Sequence, residues 1–187
     1  WEVSEDGLTL TFTLREAAWS DGEPVTADDF AFAFRRLLHP DLGASYAFML
    51  HPLKNAVAVN RGELSPDALG VEAVDARTLR LELQRPAPHF LAMLAHWTAF
   101  PLPEHVVTAH GDAANRSTGW TRVENLVVNG PFTVTEWIPE DVLRIRKNPA
   151  YWQADQVELN GADYIPFGDP ATEERALRGG EIHLTYS

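Results

Sequence analysis

Cysteine is absent from all 187 residues, which removes disulfides, cysteine-ligated zinc and thiol nucleophiles together. The absence does not fix a compartment, because a disulfide-free chain can work in the periplasm or the cytosol. Positive charge is scarce as well: 15 Lys and Arg stand against 27 Asp and Glu, a net charge of −12. Nucleic acid and anionic headgroups both demand a basic face, so no nucleic-acid partner is expected through this segment. The acidity itself reads as a surface charged for solubility. No run reaches the roughly 20 apolar residues of a membrane span, and no membrane insertion is expected. The chain opens on Trp1 without a charged stretch followed by an apolar one, so a signal peptide is expected to be absent or already removed.

Catalytic signatures are missing too. Gly179-Gly180 lacks the flanking glycines and the Lys-Ser/Thr pair of a phosphate loop, and no G-x-S-x-G elbow occurs. The seven histidines show no H-E-x-x-H pattern, and His105 and His110, five apart, are poorly spaced for one metal ion. Glu173-Glu174 and Asp28-Asp29 are adjacent pairs, and adjacent side chains on a helix diverge, so neither makes a carboxylate dyad. Asn115-Arg116-Ser117 fits the glycosylation triplet, a pattern common by chance. No enzyme, metal site or cofactor is expected.

What is present is an ordinary globular composition, 45% hydrophobic and 22% charged, long enough for one domain or two small ones. Leu8, Leu10, Phe12 and Leu14 alternate with threonines, the period of a half-buried strand. Ser20-Asp21-Gly22 is a tight turn and Pro24 an extended approach to Thr26, which with Asp29 has the spacing of a capping box. A helix is predicted from Thr26 to Leu38, with Phe30, Phe34, Leu37 and Leu38 as its apolar stripe and Asp28, Arg35 and Arg36 facing water. Residues 47–53 read as a further helix. Residues 71–74 and 79–83 read as strands about a turn at Asp75, and residues after Pro88 as a helix burying Phe90, Leu91, Leu94 and Ala95.

Pro101 and Pro103, at alternate positions, refuse a regular helix and mark the best boundary, dividing residues 1–103 from 104–187. Beyond it the pattern predicts a helix at 104–109, a hairpin pairing 132–137 with 142–146, strands at 157–165 and 182–185, and a short helix at 171–177. The order of strands and helices is α+β.

Three blocks carry more than local structure. The first is Trp19-Ser20-Asp21-Gly22-Glu23-Pro24-Val25-Thr26-Ala27-Asp28-Asp29-Phe30. The second is Asn129-Gly130-Pro131-Phe132, then Trp137, then Lys147-Asn148-Pro149-Ala150-Tyr151-Trp152. The third is Arg178-Gly179-Gly180-Glu181-Ile182-His183, with His183 where an acid is usual. In order and spacing these resemble the signature of the family-5 extracellular solute-binding proteins, the oligopeptide and dipeptide receptors of bacterial ABC importers.

The resemblance implies a periplasmic-binding-protein-like fold of the class II clamshell type. Its members are much longer, so this chain is expected to be a piece. Residues 1–103 would be an accessory α+β subdomain, and 104–187 part of the first ligand-binding lobe, with the opposing lobe elsewhere. The implied function is binding without chemistry. Two lobes close on an extended peptide, largely through its main chain, and the closed form docks on permease subunits of the transporter. The implied location is periplasmic or extracellular, with a lipoprotein anchor as one possibility. Relatives within the same fold bind nickel complexes, haem or sugars, or serve as the sensing domain of a transcription regulator, and these stay open as alternatives.

By register from the first block, Tyr46 falls where the family's oligopeptide receptor presents a tyrosine to bound peptide. Trp97 and Phe100 at the crossing, and Tyr186 and Ser187 after the last predicted strand, are further candidate contacts, because clefts between lobes gather aromatic walls at strand ends. Trp19, Trp137, Tyr151 and Trp152 belong to the signature blocks and read as packing.

Overall fold

Alternating leucine, phenylalanine and threonine do make a strand near the start, and a sheet grows around it. The computed structural model describes residues 1–185. β1 (Glu2–Val3) and β2 (Thr9–Thr13) pair antiparallel across a turn that Gly7 closes at φ +68°. α1 (Ala27–Leu37) follows, then a 3-10 turn at Ala47–Leu50 and α2 (Ala56–Asn60). β3 (Val71–Asp75) and β4 (Thr78–Glu82) complete an antiparallel four-stranded sheet in the order β1-β2-β4-β3. Leu10, Leu79 and Leu81 point from its inner face into a core with Phe34 of α1, Leu38 just after it, Leu50, Leu53, Val59 and Phe90. At about 25 cal/mol per Å², burying such large side chains contributes roughly 1.5–3 kcal/mol each.

α3 (Phe90–Met93), a 3-10 turn at Trp97–Ala99 and α4 (Glu104–Ala109) lead to a second sheet. β5 (Phe132–Ile138), β6 (Val142–Lys147) and β7 (Gly161–Tyr164) are antiparallel in that order, and α5 (Pro170–Arg178) follows. Gly161 lies flush against β6: a Cβ there would stand 2.3 Å from the Ile145 carbonyl oxygen, so no other residue fits without moving the strand. One face of this sheet is an ion-pair ladder, with Glu136 and Asp163 flanking Arg144 and Asp163 also on Arg146. The opposite face aligns Trp137, Leu143 and Tyr164 in one cross-strand row and Val134, Ile145 and Ala162 in the next.

Several expectations need correction. Residues 47–53 do not form a full helix: the turn stops at Leu50, because Pro52 has no N–H with which to continue the hydrogen-bond ladder. In residues 157–165 only Gly161–Tyr164 is strand, and residues 182–185 pair with nothing described, since a β pattern without a ladder partner does not hold. Ala95 is exposed rather than buried. Arg35 and Arg36 do not simply face water. Both are half-buried, Arg35 donating to the Val71 carbonyl at 3.4 Å and Arg36 lying over the Trp120 ring at 5.6 Å. α1 packs on the sheet with one side and meets the segment after Pro103 with another, a tertiary arrangement the helical stripe alone does not specify. Burial, and then the nearby Arg116 charge, lower the pKa of Arg36.

The first signature block forms as read, and it reaches further than a cap. Asp29 Oδ2 accepts the Thr26 N–H at 2.8 Å and the Trp19 indole N–H at 3.2 Å, while Oδ1 accepts the Glu104 N–H at 3.3 Å. Asp29 and Trp19 are both buried, so the donors are taken from water and satisfied by one carboxylate. Asp28, next door, is exposed. Around the shared carboxylate other contacts also cross residue 103. His105 Nε2 meets Asp21 Oδ2 at 2.7 Å, Ser20 N–H donates to the Val128 carbonyl at 2.8 Å, and the Arg15 guanidinium lies 3.8 Å from the Trp152 ring centre. Arg116 donates to the carbonyls of Leu42 and Gly43.

Two measurements follow from this hub. Asp29→Ala leaves buried donors unmade and should cost about 3 kcal/mol or more in urea unfolding, against less than about 1 kcal/mol for Asp28→Ala. Equal effects would remove the hub. The second concerns Asp21. Burial would raise its pKa, but the hydrogen bond to His105, the Glu23 N–H and the His105 charge outweigh it and hold the carboxyl below the usual carboxylate range. A depressed folded pKa means stability present above the unfolded pKa of about 3.9 and lost as pH falls through the folded value. The stability gap between the native chain and Asp21→Asn should therefore close below about pH 4, read from unfolding curves across pH.

Candidate functional site

Two short 3-10 turns, distant in sequence, each carry exposed aromatic residues. In the first, Ala47 and Leu50, three residues apart, point into the core, which turns Tyr46 and Phe48 outward. In the second, Ala99 is the buried anchor, and Trp97 and Phe100 are turned out. Trp97 is 66% exposed, Phe100 57% and Tyr46 45%, unusual values for large rings in a chain with this much core.

The turns bring these rings together. The Tyr46 and Trp97 centroids are 6.3 Å apart in an edge-on arrangement, with His96 between them at 5.3 Å from Tyr46 and 4.2 Å from Trp97. Phe48 sits 5.9 Å from Tyr46. The imidazole is not free to turn, since its Nδ1 accepts the Thr98 N–H at 3.4 Å and lies 3.0 Å from the Thr98 hydroxyl, capping the turn. Offset and edge-on ring pairs at such spacings are attractive by about 0.5–1.5 kcal/mol. The result is a preformed aromatic platform with one fixed polar edge.

Of the five expected contacts, Tyr46 and Trp97 therefore meet. Phe100 is exposed nearby but has no ring contact with the cluster among the described residues. Tyr186 and Ser187 lie outside the described residues. Phe48 and His96 escaped the sequence reading. The juxtaposed His96-Trp97 pair was the only available signal, and nothing in the sequence says which of two turns faces which.

The signature aromatics divide. Trp19 is packing, at 2% exposure. Trp137 is 61% exposed and Trp152 is also exposed, held only by Tyr151 and Arg15, so a packing role for these two is not met within the described residues. Asn148 is the part of that block that builds structure. Fully buried, it donates through Nδ2 to the Gly130 carbonyl at 2.8 Å, accepts the Ala150 N–H at 3.0 Å, and donates its own N–H to the Pro131 carbonyl at 2.9 Å. The two halves of the second signature block are thereby fastened to each other.

For chemistry the site offers contact rather than reaction. His105 and Asp21 form a His–Asp pair, but among the described residues no hydrogen bond joins the imidazole to the Ser20 hydroxyl, which accepts the Val128 N–H at 3.2 Å. His110 Nδ1 donates to the Val106 carbonyl at 2.8 Å, apart from His105. Among the described residues no group of three or more His, Asp or Glu side chains could hold a metal ion, and no helix is long and apolar enough to cross a membrane. Two open depressions of about 340 Å³ each, one beside Arg116 and one beside Lys54, contain no aromatic residue.

The chain matches the bacterial extracellular solute-binding proteins, family 5 Middle, over residues 1–187. It is 36% identical over 189 residues to the probable deoxycholate-binding periplasmic protein YgiS of Escherichia coli, covering 100% of this chain and 34% of that one. Among solved structures, an oligopeptide ABC transporter substrate-binding domain from Bacillus anthracis superimposes with a TM-score of 0.89 at 42% identity, covering 97% of this chain and 34% of the other. Haemophilus influenzae OppA in complex with RPPGFSPFR gives 0.89 at 36% identity, over 97% and 35%. The fold is the α+β, periplasmic-binding-protein-like one. The chain belongs to the family-5 bacterial extracellular solute-binding proteins, a family of binders rather than enzymes. It spans about a third of the length of the relatives it matches.

Proposed function

We propose that this chain is part of the substrate-binding component of an ABC importer, working in the periplasm or outside the cell, as a lipoprotein in organisms that anchor such receptors. Extended peptides are its ligands, held in a cleft between two lobes, and permease subunits of the transporter are its partners. Residues 1–103 act as an accessory α+β subdomain and 104–187 as part of the first ligand-binding lobe. The observation that carries this reading is the aromatic platform of Tyr46, Phe48, His96 and Trp97, assembled from two turns in a chain of this family. Tyr46 and Trp97 contact the peptide, with Phe100, Tyr186 and Ser187 as further contacts.

The supporting physics is simple. A platform of rings held by buried alanines is preorganised, so ligand contact does not have to meet the entropy of ordering it. The open apolar face of the three-stranded sheet fits the same reading. Trp137 and Tyr164 are exposed there, as expected of a lobe whose remaining strands and helices come from a longer polypeptide. A non-peptide reading has one observation in its favour, the similarity to a probable deoxycholate-binding protein. Aromatic rings would accept a flat apolar solute as well.

Calorimetry on the longer receptor, with tripeptides and with deoxycholate, decides between them. Tripeptide binding that weakens about tenfold in Tyr46→Ala or Trp97→Ala supports the peptide reading, a loss matching an aromatic contact of about 1.4 kcal/mol. Deoxycholate binding alone replaces it. The 187-residue chain by itself should bind tripeptide negligibly, and micromolar binding would contradict the division into lobes. In the same isolated chain, amide exchange in β5 and β7, whose outer edges are unpaired, should be fast compared with β4. Uniform slow exchange across residues 104–185 would speak against a partial lobe.

A further inference from the structure

The imidazole of His96 has a defined tautomer, and that gives the aromatic platform a chemical preference. A backbone N–H can only donate, so the Thr98 N–H at 3.4 Å fixes Nδ1 of His96 as an acceptor. The Thr98 hydroxyl, 3.0 Å from the same nitrogen, donates to it as well. In the neutral ring the proton then sits on Nε2. Flipping the ring would put a carbon where Nδ1 stands and strip the cap from the Thr98 N–H. Among the described residues Nε2 has no hydrogen-bond partner, and it is not among the buried polar atoms left unpaired. A single outward N–H donor thus stands between two exposed rings.

We propose that His96 is a specificity-determining residue, its Nε2–H selecting ligand side chains that join an apolar or flat body to a hydrogen-bond acceptor. The rings of Tyr46, Phe48 and Trp97 take the body, and the imidazole N–H takes the carbonyl, hydroxyl or carboxylate oxygen at its end. Thr98 is a positioning residue that holds the tautomer. The preference arises because an apolar side chain of the same size would cover the N–H and leave it unmade, and an unmade buried donor costs more than a made one returns. This rests on the peptide-receptor reading above.

The test compares tripeptides carrying Leu or Gln, nearly equal in volume, at each of the three positions of an alanine background, titrated into the longer receptor. The Gln peptide should bind about tenfold more tightly than the Leu peptide at one position, and His96→Phe, which keeps a ring in that place, should erase the difference. Equal affinities for Gln and Leu at all positions in the native receptor would overturn the role of His96 and leave peptide binding standing. Failure of every tripeptide to bind would overturn both. Independently of any ligand, nitrogen-15 chemical shifts of the 187-residue chain should place the His96 proton on Nε2 in the neutral ring, and a proton on Nδ1 would overturn the proposal even if the variant misfolds.

Discussion

The carboxylate of Asp29 is the constraint around which the rest is arranged. It reaches back to the start of α1, across to the indole of Trp19, and forward to the first N–H of α4, joining three segments that are far apart along the chain. A buried anion with three donors is stable only when all are in place, so the positions of the turn, the helix and the proline crossing are set together. The adjoining backbone carbonyl of Asp29 also accepts the Leu102 N–H at 3.4 Å. Where the crossing goes, the Trp97 turn that precedes it must go too.

This explains why the signature blocks and the ring platform are different residues. Trp19, Asp29 and Asn148 are interior or nearly so, and their partners are backbone groups and one another. The ring platform is built from residues outside those blocks, on turns the blocks hold in place. Residues that build the scaffold are thus separate from those that form its exposed ring surface.

Much of the fold was legible because its signals are local. The alternation of residues 8–14, the Thr26 and Asp29 spacing, the Asp75 turn and the 138–141 hairpin each act within a few residues, and each formed close to where the pattern put it. What failed was decided by distant neighbours or by one proline. Pro52 cut a helix short, and residues 182–185 lacked a ladder partner. Arg35 and Arg36 were half-covered by segments that periodicity in α1 cannot see. The ring platform was half legible. The family register singled out Tyr46, and the place of Trp97 at the proline crossing singled out that residue. Their approach, with His96 and Phe48 alongside, depends on how two turns pack against a shared core.

The sheet of β5, β6 and β7 presents salt bridges on one side and tryptophan, tyrosine and aliphatic residues on the other. Colloidal behaviour follows from that two-sidedness. A net charge of −12 keeps molecules apart in dilute buffer. Sulfate or phosphate at high concentration screens that repulsion and strengthens apolar association at the same time. This chain would then salt out through one face, long before its acidic composition alone would suggest.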